Sequence, residues 1–262
     1  MGAIAVIAYA IGNVVHEGLG HGGACVLVGG RPVELNAIFF ECSVEGLPPA
    51  AGRWLAAGGS IANLAAAVPA WVALQQLPRT WGRARAFAWL LLAVDLLMPF
   101  GYLLFSGLGN LGDWAAVVRG LEPPLAWRGA LSVAGALLYF RLAPRLLMPP
   151  LEQFLGTGAE QRQLRAQTLS VLPYAVGGLT YVAAGVLNPH GIYLVLISAV
   201  AASFGGTSLL VWYPVVWARR TPLASESVPL GVPRSRGWLV AAAITLVVFV
   251  GVLGPGVRLT AP

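Results

Sequence analysis

Residues 14–23 of the chain read Val-Val-His-Glu-Gly-Leu-Gly-His-Gly-Gly, and they lie inside an apolar run that covers residues 2–29. About 20 consecutive apolar residues cross the hydrocarbon core of a bilayer as a helix, so this run predicts a membrane-spanning helix. An ionisable group near the middle of such a helix costs roughly 2.5–3.5 kcal/mol on insertion scales. His16, Glu17 and His21 are therefore candidate functional residues.

The composition is that of a membrane protein. The chain has 262 residues, of which 58% are hydrophobic and 10% are charged, whereas soluble domains carry about 25% charged residues. We therefore expect an integral, multi-pass membrane protein surrounded by the lipid bilayer. The net charge of +6 is spread over short connections, without the basic arm that binds nucleic acid. All basic residues are arginines, which is typical of a GC-rich bacterial genome and favours a bacterial cell membrane.

Hydrophobic runs predict an all-α polytopic fold with six or seven transmembrane helices. After the first span, a second is expected at about residues 54–77, and a third segment begins near residue 86. Further spans are expected at about residues 129–147, 169–187, 192–212 and 238–253. Residues 149–167 are polar and are predicted to lie along the membrane surface, and residues 219–236 are predicted to form a loop. Arginines cluster after the second, fourth and sixth spans, which places these loops and the N-terminus in the cytoplasm.

Two segments between the early spans depart from regular helix. Apolar and polar residues alternate from Val33 to Ala37, which is a strand period and predicts a strand or hairpin after the first helix. Its edge must be buried, exposed to water or offered to an incoming chain. In the third span, Pro99, Gly101 and the glycines before Asp113 predict a helix that breaks inside the membrane.

The spacing of the two histidines decides whether they can share a metal ion. Zinc-binding helices usually carry His-Glu-x-x-His, with histidines four apart on one face. His16 and His21 are five apart, which separates them by about 140° on a regular helix. A π-bulge absorbs the extra residue, and the four glycines in residues 18–23 favour it. The alternative is a regular helix on which Glu17 and His21 share a face and act as the ligands.

The chain resembles the site-2 protease family of intramembrane zinc metalloproteases. Four features occur in the family's order and cover about the first 120 residues: His16-Glu17 to His21, the strand-like residues 32–44, Gly59 to Asn63, and Asp113 after Pro99. The resemblance implies a zinc metalloendopeptidase that hydrolyses peptide bonds of transmembrane protein substrates. It implies the following site: one zinc ion held by His16, His21 and Asp113, a water activated by Glu17, and a substrate strand positioned by Asn63 and Gly59.

Three departures from the family pattern accompany this resemblance. Three residues separate Glu17 from His21, where the family has two; Trp114 follows Asp113, where the family has glycine; and Asp95 replaces an asparagine. The longer spacing is similar to the His-Glu-Leu-Leu-Gly-His motif of the soluble dipeptidyl peptidase III family, over six residues only. Asp95 is expected either to pair with an arginine or to tune the site.

Other interpretations of the same residues stay open. The protein could be a non-proteolytic relative of the same fold with a binding or regulatory role, or a small ion or proton transporter. Asp113 could simply cap the helix that begins at Trp114. We expect Cys25 and Cys42 to be free thiols rather than a disulfide. Residues 1–120 are expected to form the metalloprotease-like core, and residues 121–262 to add membrane helices of unknown role.

Overall fold

The computed structural model of the protein describes residues 1–189, 191, 195–219 and 228–259. This part of the chain contains six helices that are long and apolar enough to cross a membrane. They are α1 (Gly2–Leu27), α2 (Pro49–Gln76), α3 (Gly82–Gly109), α5 (Pro124–Leu155), α6 (Ala159–Val186) and α7 (Ser198–Arg219). Two shorter helices are α4 (Asp113–Val118) and α8 (Arg236–Val252). The predicted all-α polytopic membrane fold is confirmed.

A hairpin follows α1, as the sequence predicts, and a third strand that the sequence did not predict completes a small antiparallel sheet. Strands β1 (Arg31–Leu35) and β2 (Phe40–Ser43) form a hairpin after α1, and β3 (Val257–Arg258) pairs with the other edge of β1. The strand order is β2-β1-β3. Among the described residues, β2 is therefore an edge strand, whereas β1 is paired on both sides.

The predicted surface segment at residues 149–167 is wrong. Helix α5 continues to Leu155 and α6 begins at Ala159, so only residues 156–158 connect them. One polar pair of this region lies inside the protein: Arg162, which is 2% exposed, donates two hydrogen bonds of 2.9 Å to the Glu152 carboxylate. The predicted loop at residues 219–236 lies partly outside the described residues, and residues 228–235 form no regular helix or strand.

The predicted break before Asp113 is present, but it does not lie at Pro99 or Gly101, because α3 continues through both residues to Gly109. Neighbouring helices pack against α3 on almost all sides, since almost all of residues 88–100 are buried. A proline is tolerated in a membrane helix when the surrounding helices and side chains provide partners for the backbone groups that it frees. Gly101 serves a close helix contact, since a Cβ there would lie 2.8 Å from the Cα of Gly206. The chain breaks instead at Asn110 and Gly112, whose φ angles are 54° and 78°.

Cys25 and Cys42 form a disulfide, so the expectation of two free thiols is wrong. The bond joins the end of α1 to β2, with an S–S distance of 1.98 Å and a Cα–Cα distance of 6.0 Å. The chain reverses at Gly29, which has a φ of 80°. A Cβ at Gly30 would lie 2.6 Å from the Cys42 Sγ, so glycine lets the strands return beside the helix.

Residues 1–120 and the described residues of the second half of the chain share one hydrophobic core. Tyr181 of α6 donates a hydrogen bond of 2.9 Å to the carbonyl of Tyr9 in α1, and the two rings are 5.8 Å apart. The Tyr9 hydroxyl lies 2.8 Å from the Thr207 hydroxyl of α7. The second half of the chain thus packs behind the helix that carries the histidines and, through β3, completes the sheet.

Candidate metal site

The middle of α1 is π-helical from Val15 to Gly22. In this form the backbone hydrogen bond spans five residues instead of four, so residues five apart lie above one another. The rings of His16 and His21 are accordingly only 4.8 Å apart, and their Nε2 atoms are 3.2 Å apart. The predicted bulge is confirmed, and the regular-helix alternative is not observed.

Asp113 completes a triangle with the two imidazoles. Its Oδ2 lies 3.2 Å from the His16 Nε2 and 3.4 Å from the His21 Nε2. Gly112, not Asp113, occupies the cap position of α4, and no side chain caps that helix. The Asp113 carboxylate therefore points at the imidazoles, and simple helix capping does not describe its role.

The three atoms have the spacing of metal ligands. Zinc bonds of about 2.0–2.1 Å to nitrogen and oxygen in a tetrahedral shell place neighbouring ligand atoms roughly 3.3 Å apart, which agrees with the observed 3.2, 3.2 and 3.4 Å. His16 and His21 are 4% and 9% exposed. The group could hold a metal ion.

Glycines allow the helices around the triangle to touch. A Cβ at Gly20 would lie 2.5 Å from the Gly59 Cα, and a Cβ at Gly58 would lie 2.5 Å from the Gly20 carbonyl oxygen. A Cβ at Gly59 would lie 2.6 Å from the His16 Nε2 and 2.7 Å from the His21 Nε2. Any larger residue at position 59 would therefore push into the space that both imidazoles occupy.

Hydrogen bonds on the far side of each ring set its tautomer. The His16 Nδ1 lies 2.7 Å from the Asn63 Oδ1, and the His21 Nδ1 lies 2.8 Å from the Leu55 carbonyl oxygen. Both partners accept only, so each Nδ1 carries the proton and each Nε2 directs a lone pair at the triangle. Two lone pairs facing a carboxylate are an arrangement that a bound cation satisfies.

Asn63 is held by three hydrogen bonds. Its Nδ2 donates to the Gly12 carbonyl and to the Asp95 Oδ1, both at 2.8 Å, while its Oδ1 accepts from His16. Asn63 and Asp95 are both 0% exposed. These contacts orient the His16 ring and use both N–H groups of the amide. The substrate-positioning roles of Asn63 and Gly59 stay predictions, but the structure places both residues against the imidazoles.

The sequence left open whether Asp95 pairs with an arginine or tunes the site. In the structure Asp95 contacts Asn63 on the side of the amide away from the triangle. One carboxylate oxygen, Oδ1, accepts the Asn63 hydrogen bond, while Oδ2 is buried without a hydrogen-bond partner in the described part of the chain. The result is a continuous polar path from the core to the triangle. Sequence reasoning missed this path because its residues lie on three different helices.

The triangle borders a cavity of about 260 Å³. Glu17, which is 7% exposed, lines this cavity. Apart from the triangle and Glu17, the cavity wall is mostly apolar and includes Phe39, Phe40 and Leu55. Tyr102 also lines the cavity, with its ring 5.9 Å from the His16 ring. Nothing in the sequence distinguished Tyr102 from the other aromatic residues of the spans.

Electrostatics favour the ionised form of Asp113. Burial alone opposes its ionisation, but when the imidazoles of His21 and His16 are protonated, their positive charges and N–H groups outweigh this effect and hold the pKa of the carboxyl well below its usual range. A cation in the triangle would take the place of those protons, leaving each Nε2 lone pair and the carboxylate as its ligands. The carboxyl is therefore a carboxylate, which is the form that binds a metal ion.

No model of a known protein family matches the chain, and neither a curated protein nor a solved structure does. Fold and site together define a multi-pass membrane protein in which two buried histidines and a half-buried aspartate form a cluster that could hold a metal ion. A more particular assignment rests on the geometry of that cluster.

Proposed function

We propose that the protein is a zinc metalloendopeptidase of a bacterial cell membrane that hydrolyses peptide bonds of membrane-embedded protein substrates. The observation that carries this proposal is the triangle of His16, His21 and Asp113, with sides of 3.2, 3.2 and 3.4 Å, beside Glu17 in one cavity. The four ordered sequence features shared with the site-2 protease family support the same function.

The three ligands would come from the His16 Nε2, the His21 Nε2 and the Asp113 carboxylate. Two imidazoles and one carboxylate are a common catalytic zinc set, which leaves one coordination position open. When bound, zinc would supply Lewis-acid chemistry, lowering the pKa of a coordinated water and polarising the scissile carbonyl. Asn63 and the Leu55 carbonyl would keep the two rings in their ligating orientation.

Glu17 would be the general base. It follows His16 in the π-helical segment and faces the same cavity. Its carboxylate would take a proton from the attacking water and then give that proton to the leaving amine. The step balances: one water is consumed, one C–N bond breaks, and a carboxylate and an ammonium group are formed, so that Glu17 returns to its ionised form.

The substrate would lie extended beside the sheet. A membrane helix must unwind locally before its peptide bond can reach a buried site, and its freed backbone groups then need partners. The edge of β2 offers them by strand addition, since β3 already occupies the other edge of β1. Phe40 belongs to β2 and lines the cavity, so the strand edge and the site are adjacent.

A proton transporter is the second candidate, and one observation favours it. Hydrogen bonds connect Asp95 through Asn63 to His16, which contacts Asp113. This path does not continue beyond Asp95, which is 0% exposed and whose Oδ2 has no partner in the described residues. A transporter needs no zinc, so metal content separates the two functions.

The decisive experiment is cleavage of a designed single-span substrate by the zinc-loaded protein in liposomes. We expect the wild-type protein to cut it, and Glu17→Gln to lose about 10²–10⁴-fold in rate while keeping its zinc. Glu45→Gln, an exposed carboxylate of the loop after β2, is the matched control and should cleave normally. An active Glu17→Gln variant would refute the assigned mechanism. A protein that binds zinc but cuts no such substrate would instead be a non-proteolytic relative.

A further inference from the structure

The cavity lies near one end of the helical bundle. This end carries the three strands and α4, and we call it the sheet end. His21 lies about six residues before the end of α1, Leu55 about six residues after the start of α2, and Tyr102 about seven residues before the end of α3. At 1.5 Å per residue, each of these side chains is roughly 10 Å below the sheet end.

The arginines are distributed unequally between the two ends. The opposite end of the bundle, formed by residues 77–81, 156–158 and 228–235 and the adjoining helix ends, carries more of them. Its described arginines are Arg79, Arg83, Arg85, Arg162, Arg165, Arg219, Arg234 and Arg236. Those of the sheet end are Arg31, Arg53, Arg119, Arg128 and Arg258. Two more, Arg141 and Arg145, lie inside α5 and are assigned to neither end. Cytoplasmic connections carry the excess of basic residues, so the opposite end faces the cytoplasm.

The disulfide gives the same orientation independently. It joins Cys25, near the end of α1, to Cys42 of β2, and therefore lies at the sheet end. Disulfides persist in oxidising compartments such as the periplasm and the cell surface and are rare in the cytoplasm. Charge and redox chemistry thus assign the sheet end to the non-cytoplasmic side.

From these placements we infer that the site is reached from the non-cytoplasmic side of the membrane. The second part of this inference rests on the proposed protease function. It states that the substrates are membrane-anchored chains whose cleaved bond lies about 10 Å below the non-cytoplasmic face. The segment around this bond is apolar and able to become extended, because the cavity wall is mostly apolar and β2 presents a strand edge. Hydrolysis there releases the non-cytoplasmic part of the substrate from its anchor.

The orientation is tested first, without reference to activity. Both native cysteines are in the disulfide, so one added cysteine reports its own location. Glu45→Cys and Thr80→Cys place exposed thiols at the sheet end and at the opposite end, respectively. A membrane-impermeant maleimide should label only Glu45→Cys in right-side-out vesicles, and only Thr80→Cys in inverted vesicles. The reverse pattern overturns the inference.

The substrate class is tested with two designed single-span substrates. They are identical except that the same helix-destabilising apolar segment lies in the non-cytoplasmic third of one span and in the cytoplasmic third of the other. We expect the second to be cut on the order of 10²-fold more slowly, since its peptide bond is misplaced relative to the site. Equal rates overturn the substrate assignment. Correct labelling with neither substrate cut supports the orientation and refutes the proteolytic function.

Discussion

Replacing Asn63 with alanine tests the physical basis of the site without touching a metal ligand. The amide makes three buried hydrogen bonds, to His16, to the Gly12 carbonyl and to Asp95. Alanine leaves the His16 Nδ1 without an acceptor, so the ring can rotate or take the other tautomer. The ligating Nε2 is then no longer held in the triangle.

The expected magnitude follows from these contacts. Loss of an outer partner of a ligating histidine typically lowers metal affinity by about 10–100-fold, equivalent to roughly 1.4–2.8 kcal/mol. The substitution also leaves the Gly12 carbonyl and the Asp95 carboxylate less satisfied, at about 1–3 kcal/mol of stability for each buried group. We therefore expect Asn63→Ala to bind zinc weakly and to unfold at lower denaturant concentration than the wild type.

Zinc affinity is measured by competition with a chelator of known affinity on the detergent-solubilised protein. Asn13→Ala is the matched control, because Asn13 is a buried α1 amide that bonds to the Ala37 carbonyl and not to an imidazole. Its zinc affinity should change little. The exchange Asn63→Asp with Asp95→Asn keeps one carboxylate and one amide in contact, and should recover more affinity than Asn63→Asp alone. A folded Asn63→Ala variant with wild-type zinc affinity refutes the reasoning.

Three further predictions concern packing, ligand linkage and the disulfide. Gly59→Ala should abolish zinc binding, because its Cβ would lie 2.6–2.7 Å from both ligating nitrogens. Gly23→Ala is the control and should bind zinc normally, because its Cβ would meet no described atom within 4 Å. Dialysis against zinc followed by elemental analysis measures both variants. Free zinc at 100 times its dissociation constant should raise the free energy of unfolding by about 2.7 kcal/mol, and His21→Ala should show no such gain in a denaturant titration. Replacing Cys25 and Cys42 by serine opens a loop with a sequence separation of 17 and should lower the free energy of unfolding by about 3 kcal/mol. A denaturant titration should show this as a lower unfolding midpoint. An unchanged midpoint contradicts the structural role of the bond.

One feature of the site could be predicted because it depends only on residues that are close together in the sequence. The spacing of His16 and His21, together with the glycines between and after them, predicts the π-helical segment, because few other backbones bring residues five apart together. The approach of Asp113 to the histidines is different, because it was implied only by the resemblance to the site-2 protease family. Asp113 is 97 positions from His16, and no local pattern connects them.

Features that depend on packing between distant segments could not be predicted. Pro99 and Gly101 are typical of a broken helix, yet the helices around α3 keep it continuous, and Gly101 instead fits against Gly206. The Cys25–Cys42 bond depends on how the hairpin folds back on α1. The link from Asp95 to His16 passes through a third helix, and one sequence does not reveal which polar residues of different spans face one another.

The most direct test of the central claim is the metal content and metal coordination of the purified protein. We expect about one zinc ion per chain, and zinc-edge X-ray absorption should show two imidazole nitrogens with oxygen ligands at about 2.0–2.2 Å. The His16→Ala, His21→Ala and Asp113→Ala variants should each lose the metal. A protein that takes up no zinc, or whose zinc has sulfur ligands or survives all three substitutions, contradicts the account.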